Sequence, residues 1–231
     1  MDVFLQAFAM ILQLKPELLH IILLSLRVSG LALLAATLLG LPLGAVMGIA
    51  VFPGRSLAIT LANTFMGLPP VVVGLVLYLL LSRSGCLGFL GLLYTPSAMI
   101  LAQTILALPI VASLCHSAIV GVDPLIRQAA STLGATPLQQ TLTVVGEARY
   151  GILSAIIAAF GRVMAEVGAI LIVGGNIAGY TRVMTTTIAL ETDQGEFELA
   201  LALGMVLLSI SLVINLFLHY VQQRGKVHSP R

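Results

Sequence analysis

Two opposite charges lie four residues apart in a segment that is otherwise apolar enough for the interior of a membrane. Arg162 and Glu166 belong to the stretch RVMAEVGAILIVGGNIAGYTR, which covers residues 162–182. A charged side chain at the bilayer centre costs about 2.5 to 3.5 kcal/mol on insertion scales, so such residues pair or face water. Residues at i and i+4 share one face of a helix and reach each other. The spacing therefore predicts an intramembrane ion pair.

Two interpretations of Glu166 follow from this position. The carboxylate is either half of a structural ion pair that makes the segment tolerable in the membrane, or a lock or gate at a seam between subunits. A free carboxylate repels anions and is therefore a poor ligand for one. We therefore interpret Glu166 as neutralised structure or a gate hinge rather than as an anion ligand.

The apolar part of the same stretch ends in Gly174, Gly175 and Asn176. Glycine and asparagine are the usual residues at a helix C-terminus, which is one interpretation. The other is anion binding, because glycine exposes backbone N–H groups that can receive a tetrahedral oxyanion without a full positive charge. The sequence leaves both interpretations open.

Two further apolar segments contain residues that are weaker candidates for lining a path across a membrane. Pro69 and Pro70 remove backbone N–H donors and break a helix, which predicts either a kink or a constriction built on that kink. Gln103 and Thr104 are polar side chains in the next apolar segment and are candidates of the same kind.

Enzyme and metal chemistry are poorly supported. Ser113 and His116 have a spacing that a nucleophile and a base could share, but no acidic partner or GxSx turn accompanies them. Cys86 and Cys115 lie far apart without a CxxC motif, so no metal site is predicted. The chain also lacks the phosphate-binding pattern GxxxxGK[ST], so any use of ATP requires a separate ATPase chain.

The composition places these residues in a membrane protein. The chain has 231 residues, of which 59% are hydrophobic and 9% are charged, whereas about 25% of residues are charged in soluble domains. The formal net charge of +2 is small and dispersed, so no nucleic-acid partner is predicted.

The pattern of apolar runs predicts an all-α, polytopic protein formed by one transmembrane domain over residues 1–231. About 20 apolar residues are needed to cross the bilayer as a helix. The predicted spans cover residues 20–51, 57–82, 97–120, 152–176 and 199–221. Thr95 followed by Pro96 resembles an N-cap with proline at the first helical position, which predicts the start of the third span. Between the third and fourth spans, the polar segment 121–150 has helix starts at Asp123 and Thr136, each followed by proline, and a stop at Gly134. We expect two short helices in water there.

Five spans place the two termini on opposite sides of the membrane. The basic residues predicted on one side are Arg55, Arg127, Arg149, Arg224, Lys226 and Arg231, and those on the other are Lys15, Arg83 and Arg182, with Arg27 near the boundary. The more basic side is cytoplasmic by the positive-inside rule. This assigns the 121–150 segment and the C-terminus to the cytoplasm and the N-terminus to the outside.

The polar segment carries a resemblance to a known family. The residues concerned are Gln128, Ala129, Ala130, Gly134, Ala135 and Pro137. They resemble the EAAxxxG loop of the permeases of binding-protein-dependent ABC importers, with glutamine in place of the usual glutamate. In that family the loop is a coupling helix that docks on a cytoplasmic ATPase. Small residues permit close approach to another protein, and glycine permits a sharp turn.

The resemblance continues along most of the chain. Residues 25–48 are similar to the first helix of sulfate-like permeases, 68–82 to the second helix of the molybdate and tungstate group, and 166–192 to tungstate permeases. It implies an inner-membrane permease that imports an oxyanion, most closely tungstate, by alternating access; molybdate, sulfate and phosphate remain alternative cargoes. An ATP-independent channel or secondary carrier is disfavoured, because the coupling-loop pattern is present and no inverted repeat is visible.

The partners also follow from the resemblance. They are ABC ATPase subunits, a periplasmic or extracellular anion-binding protein, a second copy of the chain in a homodimer, and membrane lipid. The chain itself is expected to bind no cofactor, since ATP and Mg²⁺ would be held by the ATPase.

Overall fold

The fold is built from helices only. The computed structural model describes residue 7 and residues 16–226, and these contain no β-strand. Residues 1–6, 8–15 and 227–231, with Lys15 and Arg231 of the charge count, lie outside the described residues. The helices are α1 (Pro16–Ile49), α2 (Arg55–Phe65), α3 (Pro70–Leu81), α4 (Pro96–Val120), α5 (Pro124–Thr132), α6 (Pro137–Glu147), α7 (Arg149–Met164), α8 (Gly168–Gly174), α9 (Met184–Gln194) and α10 (Phe197–Lys226). The prediction of an all-α protein is confirmed.

Several helix starts lie where the sequence predicts them, at a capping residue followed by proline. The side chain of Thr95 accepts a hydrogen bond from the Ala98 N–H at the start of α4. Asp123 caps α5, and Thr136 forms a reciprocal capping box with Gln139 at the start of α6. A side-chain oxygen at this position satisfies a backbone N–H that has no partner within the helix.

Three of the described helices are long and apolar enough to span a membrane: α1, α4 and the Phe197–Phe217 part of α10. Two bent pairs would raise the number to five if each were one span. The angle between α2 and α3 is 99°, and the angle between α6 and α7 is 64°. The arrangement of exactly five spans therefore stays a prediction.

The first broken pair lies at the two prolines. Pro69 is extended, with φ −65° and ψ 121°, and Pro70 is the first residue of α3. The predicted second span, 57–82, is thus interrupted at the predicted place, and the break is a bend of 99° rather than a mild kink.

The predicted fourth span, 152–176, is not one continuous helix. α7 ends at Met164 and α8 begins at Gly168. The prediction that Arg162 and Glu166 share the face of one helix is wrong in this respect, because Glu166 lies in the break. Its carboxylate accepts a hydrogen bond from the Ala169 N–H at 3.0 Å, which satisfies a donor of the first turn of α8.

The most extensive contact between two helices among the described residues is that of α1 with α4, and glycines make it close. Gly40, Gly44 and Gly48 lie one turn apart on α1 and face α4. A Cβ at Gly44 would lie 2.6 Å from the carbonyl oxygen of Ala112. Small residues at such intervals let two membrane helices approach closely, and they set α4 against α1 in the centre of the fold.

Candidate translocation site and coupling loop

The break between α7 and α8 is organised by a buried carboxylate. Glu166 is 3% exposed, and its Oε2 accepts a hydrogen bond from Arg162 Nη1 at 3.3 Å. Arg162 is in the last turn of α7 and its side chain is 42% exposed. The pair is therefore asymmetric, because the guanidinium lies at the surface of the chain and the carboxylate is buried within it.

Side chains from two other helices hold this break in place. Thr185 of α9 donates from its hydroxyl to the Glu166 carbonyl at 2.8 Å. Gln103 of α4 donates from Nε2 to the carbonyl of Val163 at 3.1 Å. Gln103, a predicted pathway residue, is thus brought to the break, whereas Thr185 was not predicted. The run MTTT at residues 184–187 is buried throughout and was the available signal, since buried hydroxyls need partners.

A small polar cavity adjoins the break. It has a volume of about 10 Å³, and Ser25, Ser29, Gln103 and Thr185 contribute its polar lining. The Gln103 Oε1 atom is buried and has no hydrogen-bond partner among the described residues. A cavity of this size holds about one water, so it is too small for a tetrahedral oxyanion.

The break at Glu166 lies directly against the break at the prolines. A Cβ at Gly168 would lie 2.9 Å from Cγ2 of Val71, in the first turn of α3. One turn further along, a Cβ at Gly74 would lie 2.9 Å from Cα of Ala169. Pro69 and Pro70 are therefore brought close to Glu166, although they are 96 to 97 positions apart in the sequence. By contrast, Thr104 donates to the carbonyls of Ile100 and Ala32, which places its side chain at the contact of α1 with α4.

The segment 174–176 forms the end of α8. Gly175 has φ 71° and Asn176 has φ 50°, both left-handed, and the Gly175 N–H donates to the Leu171 carbonyl. The Gly174 carbonyl accepts a hydrogen bond from the Thr181 hydroxyl at 2.6 Å. This geometry is that of a helix terminus, and it leaves the Gly175 N–H unavailable to an anion.

Two polar groups near this terminus are unsatisfied. Asn176 Oδ1 and Arg182 Nε are buried and have no hydrogen-bond partner among the described residues. The Arg182 guanidinium is half-buried and is the nearest cation in sequence to the end of α8. In the sequence, Arg182 contributes only to the charge count, because an arginine in a polar loop carries no local signal of burial.

The predicted coupling loop is a pair of short helices with an exposed surface. Gly134 has φ 81° and no atom within 4 Å of a Cβ placed on it. Its N–H donates a hydrogen bond to the Ser131 carbonyl at the end of α5. The exposed residues of the motif are Gln128, Ala129, Gly134 and Pro137, whereas Ala130 and Ala135 are half-buried.

Leucines also project from this loop. Leu133 is 87% exposed, and Leu125, Leu138 and Leu142 are each more than 60% exposed. Exposed apolar side chains that cluster on a surface mark contacts with another protein or with a membrane. The family motif did not include these leucines, and the amphipathic pattern of α5 and α6 was the signal available for them.

Comparison with known proteins decides the family. The family model described as "Binding-protein-dependent transport system inner membrane component" matches residues 40–227. The chain belongs to this family. It is the permease subunit of an ABC importer, a multi-pass inner-membrane protein, and ATP hydrolysis is carried out by a separate ATPase subunit. The family works with ATPase and substrate-binding protein partners.

Relatives and a solved structure extend the comparison. A probable anion ABC transporter permease protein of Haloferax volcanii is 48% identical over 196 residues, 83% of this chain and 84% of the relative. The tungstate uptake system permease protein TupB of Peptoclostridium acidaminophilum is 40% identical over 220 residues, 95% and 96% of the two chains. The crystal structure of a bacterial ABC transporter involved in alginate import superposes with a TM-score of 0.74 at 22% identity, over 96% of this chain and 83% of that chain. This last likeness concerns the fold.

Proposed function

We propose that this permease imports tungstate, as one half of a homodimer that alternates between outward-open and inward-open states. The observation that carries the proposal is the 40% identity with a tungstate uptake permease, which extends over 95% of the chain. Because the two chains match nearly end to end, the likeness includes both helix breaks and the coupling loop.

The size of the cavity at the break supports a pathway between two subunits. Its volume of about 10 Å³ does not admit an oxyanion, which supports a pathway that lies outside this cavity, on the face of the chain where a second subunit would pack. A second copy of the chain would complete the wall of that pathway. Gln103 and Glu166 then act as supports that hold the broken helix, and Pro69 and Pro70 set the adjoining bend.

At the outer entrance, Asn176 and Arg182 are the side chains proposed to meet the anion. Arg182 has a buried Nε donor without a partner among the described residues, and its positive charge would attract an oxyanion delivered by the binding protein. Asn176 would bind the anion through its amide nitrogen, since its unpartnered Oδ1 is an acceptor. In this assignment the N-terminus lies outside and the C-terminus lies in the cytoplasm.

At the opposite end, α5 and α6 are proposed to dock on the ATPase through the exposed leucines and the small residues of the motif. ATP and Mg²⁺ would be bound by the ATPase, and this chain would bind no cofactor. Closure of the ATPases would move α6, and the 64° bend would pass that movement to α7 and the break at Glu166.

Uptake by proteoliposomes tests this proposal. The chain is reconstituted with the ATPase and the anion-binding protein that co-purify with it, and internal tungsten, molybdenum, sulfur and phosphorus are measured by mass spectrometry. We expect ATP-dependent accumulation of tungstate in preference to molybdate, sulfate and phosphate. Accumulation without ATP would contradict the importer mechanism, and preference for another oxyanion would contradict the cargo.

A variant tests the proposed entrance. Arg182→Gln should raise the anion concentration needed for half-maximal uptake, whereas Arg83→Gln, an exposed arginine in another loop on the predicted outer side, should leave it unchanged. Equal behaviour of the two variants would remove Arg182 from the pathway.

A further inference from the structure

Two arginines meet at the C-terminal end of α1. Arg55 donates from Nε to the Met47 carbonyl at 2.7 Å and from Nη2 to the Gly48 carbonyl at 3.3 Å. Arg127, from α5, donates from Nη1 to the Ile49 carbonyl at 3.4 Å. These carbonyls are among the last four of the helix, which have no partner within it.

The arginines keep most of their hydrogen-bonding capacity. A guanidinium has five N–H donors, and the hydrogen bonds above occupy two of those of Arg55 and one of those of Arg127. Both side chains line a cavity of about 210 Å³, the elbow cavity, together with Asp123, Ile49, Ile119 and Val144. Asp123 is the acidic residue of this lining, and its Oδ1 already accepts the Leu125 N–H. The lining thus has one more positive than negative charge.

An apolar groove begins beside these arginines. It has a volume of about 420 Å³ and lies between α1, α2 and α4, where Met47, Ala58, Ala62, Phe65 and Pro109 line it. Met47 belongs to both features, because its side chain lines the groove and its carbonyl binds Arg55. Ala58 lies one helical turn beyond Arg55 on α2.

The surface around Arg55 is suited to a membrane rather than to water. Val51 is 97% exposed and Leu57 is 63% exposed, on either side of Arg55 in the sequence. α1 is a helix long enough to span the bilayer, and this corner is at its end. A cation at the end of a span, with an apolar groove running back along the same helix, matches the two ends of a phospholipid.

We propose that this corner binds an anionic phospholipid. The phosphate group lies in the elbow cavity and accepts hydrogen bonds from Arg55 and Arg127, and one acyl chain lies in the groove along α1 and α2. Anionic lipids are concentrated in the cytoplasmic leaflet, and basic pockets between helices on that side bind their headgroups. The site joins α1, α2 and α5, and it is independent of which anion is transported.

Native mass spectrometry of the full-length chain tests the site. The chain is reconstituted with equal amounts of phosphatidylglycerol and phosphatidylcholine of the same acyl composition, extracted in mild detergent, and the ratio of the two retained lipids is measured. We expect phosphatidylglycerol to be retained in excess. Arg55→Gln and Arg127→Gln should each lower the ratio about fivefold, and Arg83→Gln, the same change at an exposed arginine away from this corner, should not alter it.

Two further variants separate the phosphate from the acyl chain and guard against loss of folding. Arg55→Lys retains the charge and should keep most of the preference, even if Arg55→Gln does not accumulate. Ala62→Phe fills the groove and should reduce the amount of retained phosphatidylglycerol without removing a charge.

The proposal is overturned if the wild-type chain retains both lipids equally, or if the preference survives loss of both arginines. Displacement of phosphatidylglycerol by millimolar inorganic phosphate, together with no effect of Ala62→Phe, would identify a site for a free anion instead of a lipid.

Discussion

The ion pair at the helix break predicts an unequal response to removal of its two partners. Glu166 is 3% exposed and Arg162 is 42% exposed, so only the carboxylate depends on its partner for charge compensation. Glu166→Gln removes the buried charge and keeps an oxygen that can accept the Ala169 N–H. Arg162→Gln removes the hydrogen bond from Arg162 and leaves the buried carboxylate with the one from the Ala169 N–H.

The expected magnitudes follow from this geometry. At 3.3 Å, two charges attract by about 5 kcal/mol at an effective dielectric constant of about 20, but the desolvation of the buried carboxylate offsets most of this attraction. We therefore expect Glu166→Gln to lower the free energy of unfolding by about 1 kcal/mol. Arg162→Gln should cost about 3 kcal/mol, because an uncompensated buried charge remains. The double variant should be more stable than Arg162→Gln alone, since it no longer buries a charge.

The assay uses a cysteine that the fold protects. Cys115 is buried and Cys86 is exposed, so in a Cys86→Ser background a thiol-reactive fluorescent dye reports the unfolding of the core around α4. Midpoints of thermal unfolding are compared for the wild-type background, both single variants and the double variant. The reasoning is refuted if Arg162→Gln unfolds at or above the midpoint of Glu166→Gln, or if the double variant is no better than Arg162→Gln.

Three other substitutions test the coupling loop and the helix packing. Gly134→Arg should abolish uptake while the protein still inserts. Gly195→Arg is the control in the uptake assay, because Gly195 also has positive φ and no atom within 4 Å of a Cβ placed on it; equal loss of uptake in both would indicate strain rather than docking. Gly44→Ala should lower the free energy of unfolding by about 1 to 3 kcal/mol, because the added methyl group overpacks against a backbone carbonyl of α4. Gly30→Ala is the control on the same helix, because its methyl group meets no atom within 4 Å. Similar thermal midpoints for the two variants would contradict close packing. Leu133→Gln should reduce recovery of the ATPase in a pull-down with little change in stability, because the side chain is 87% exposed, and undiminished recovery would exclude it from the docking surface.

Local chemistry made the helix starts predictable. Thr95, Asp123 and Thr136 each combine a capping side chain with a following proline, and both features act within four residues of the chain. The positive φ of Gly134 and of Gly175 is predictable for the same reason, because glycine tolerates the left-handed backbone that ends a helix.

The break at Glu166 was not predictable in this way. Residues 152–176 are apolar enough to be taken as one span, and hydropathy does not register a helix end that a buried side chain caps. The support from Gln103 and Thr185 depends on α4 and α9 packing there, 60 and 19 residues away from their acceptors. The glycines of α1 were visible in the sequence, but the helix that they face follows only from tertiary packing.

The contact between α3 and α8 restricts which helices can move during transport. Neither Gly74 nor Gly168 leaves room for one methyl group, so the two helices are packed closely where they meet. We therefore expect α3 and α8 to move together during transport. The angles that change are then those at the two breaks, between α2 and α3 and between α7 and α8. Distances measured by spin labels should therefore change between α2 and α7 on addition of ATP and remain constant between α3 and α8.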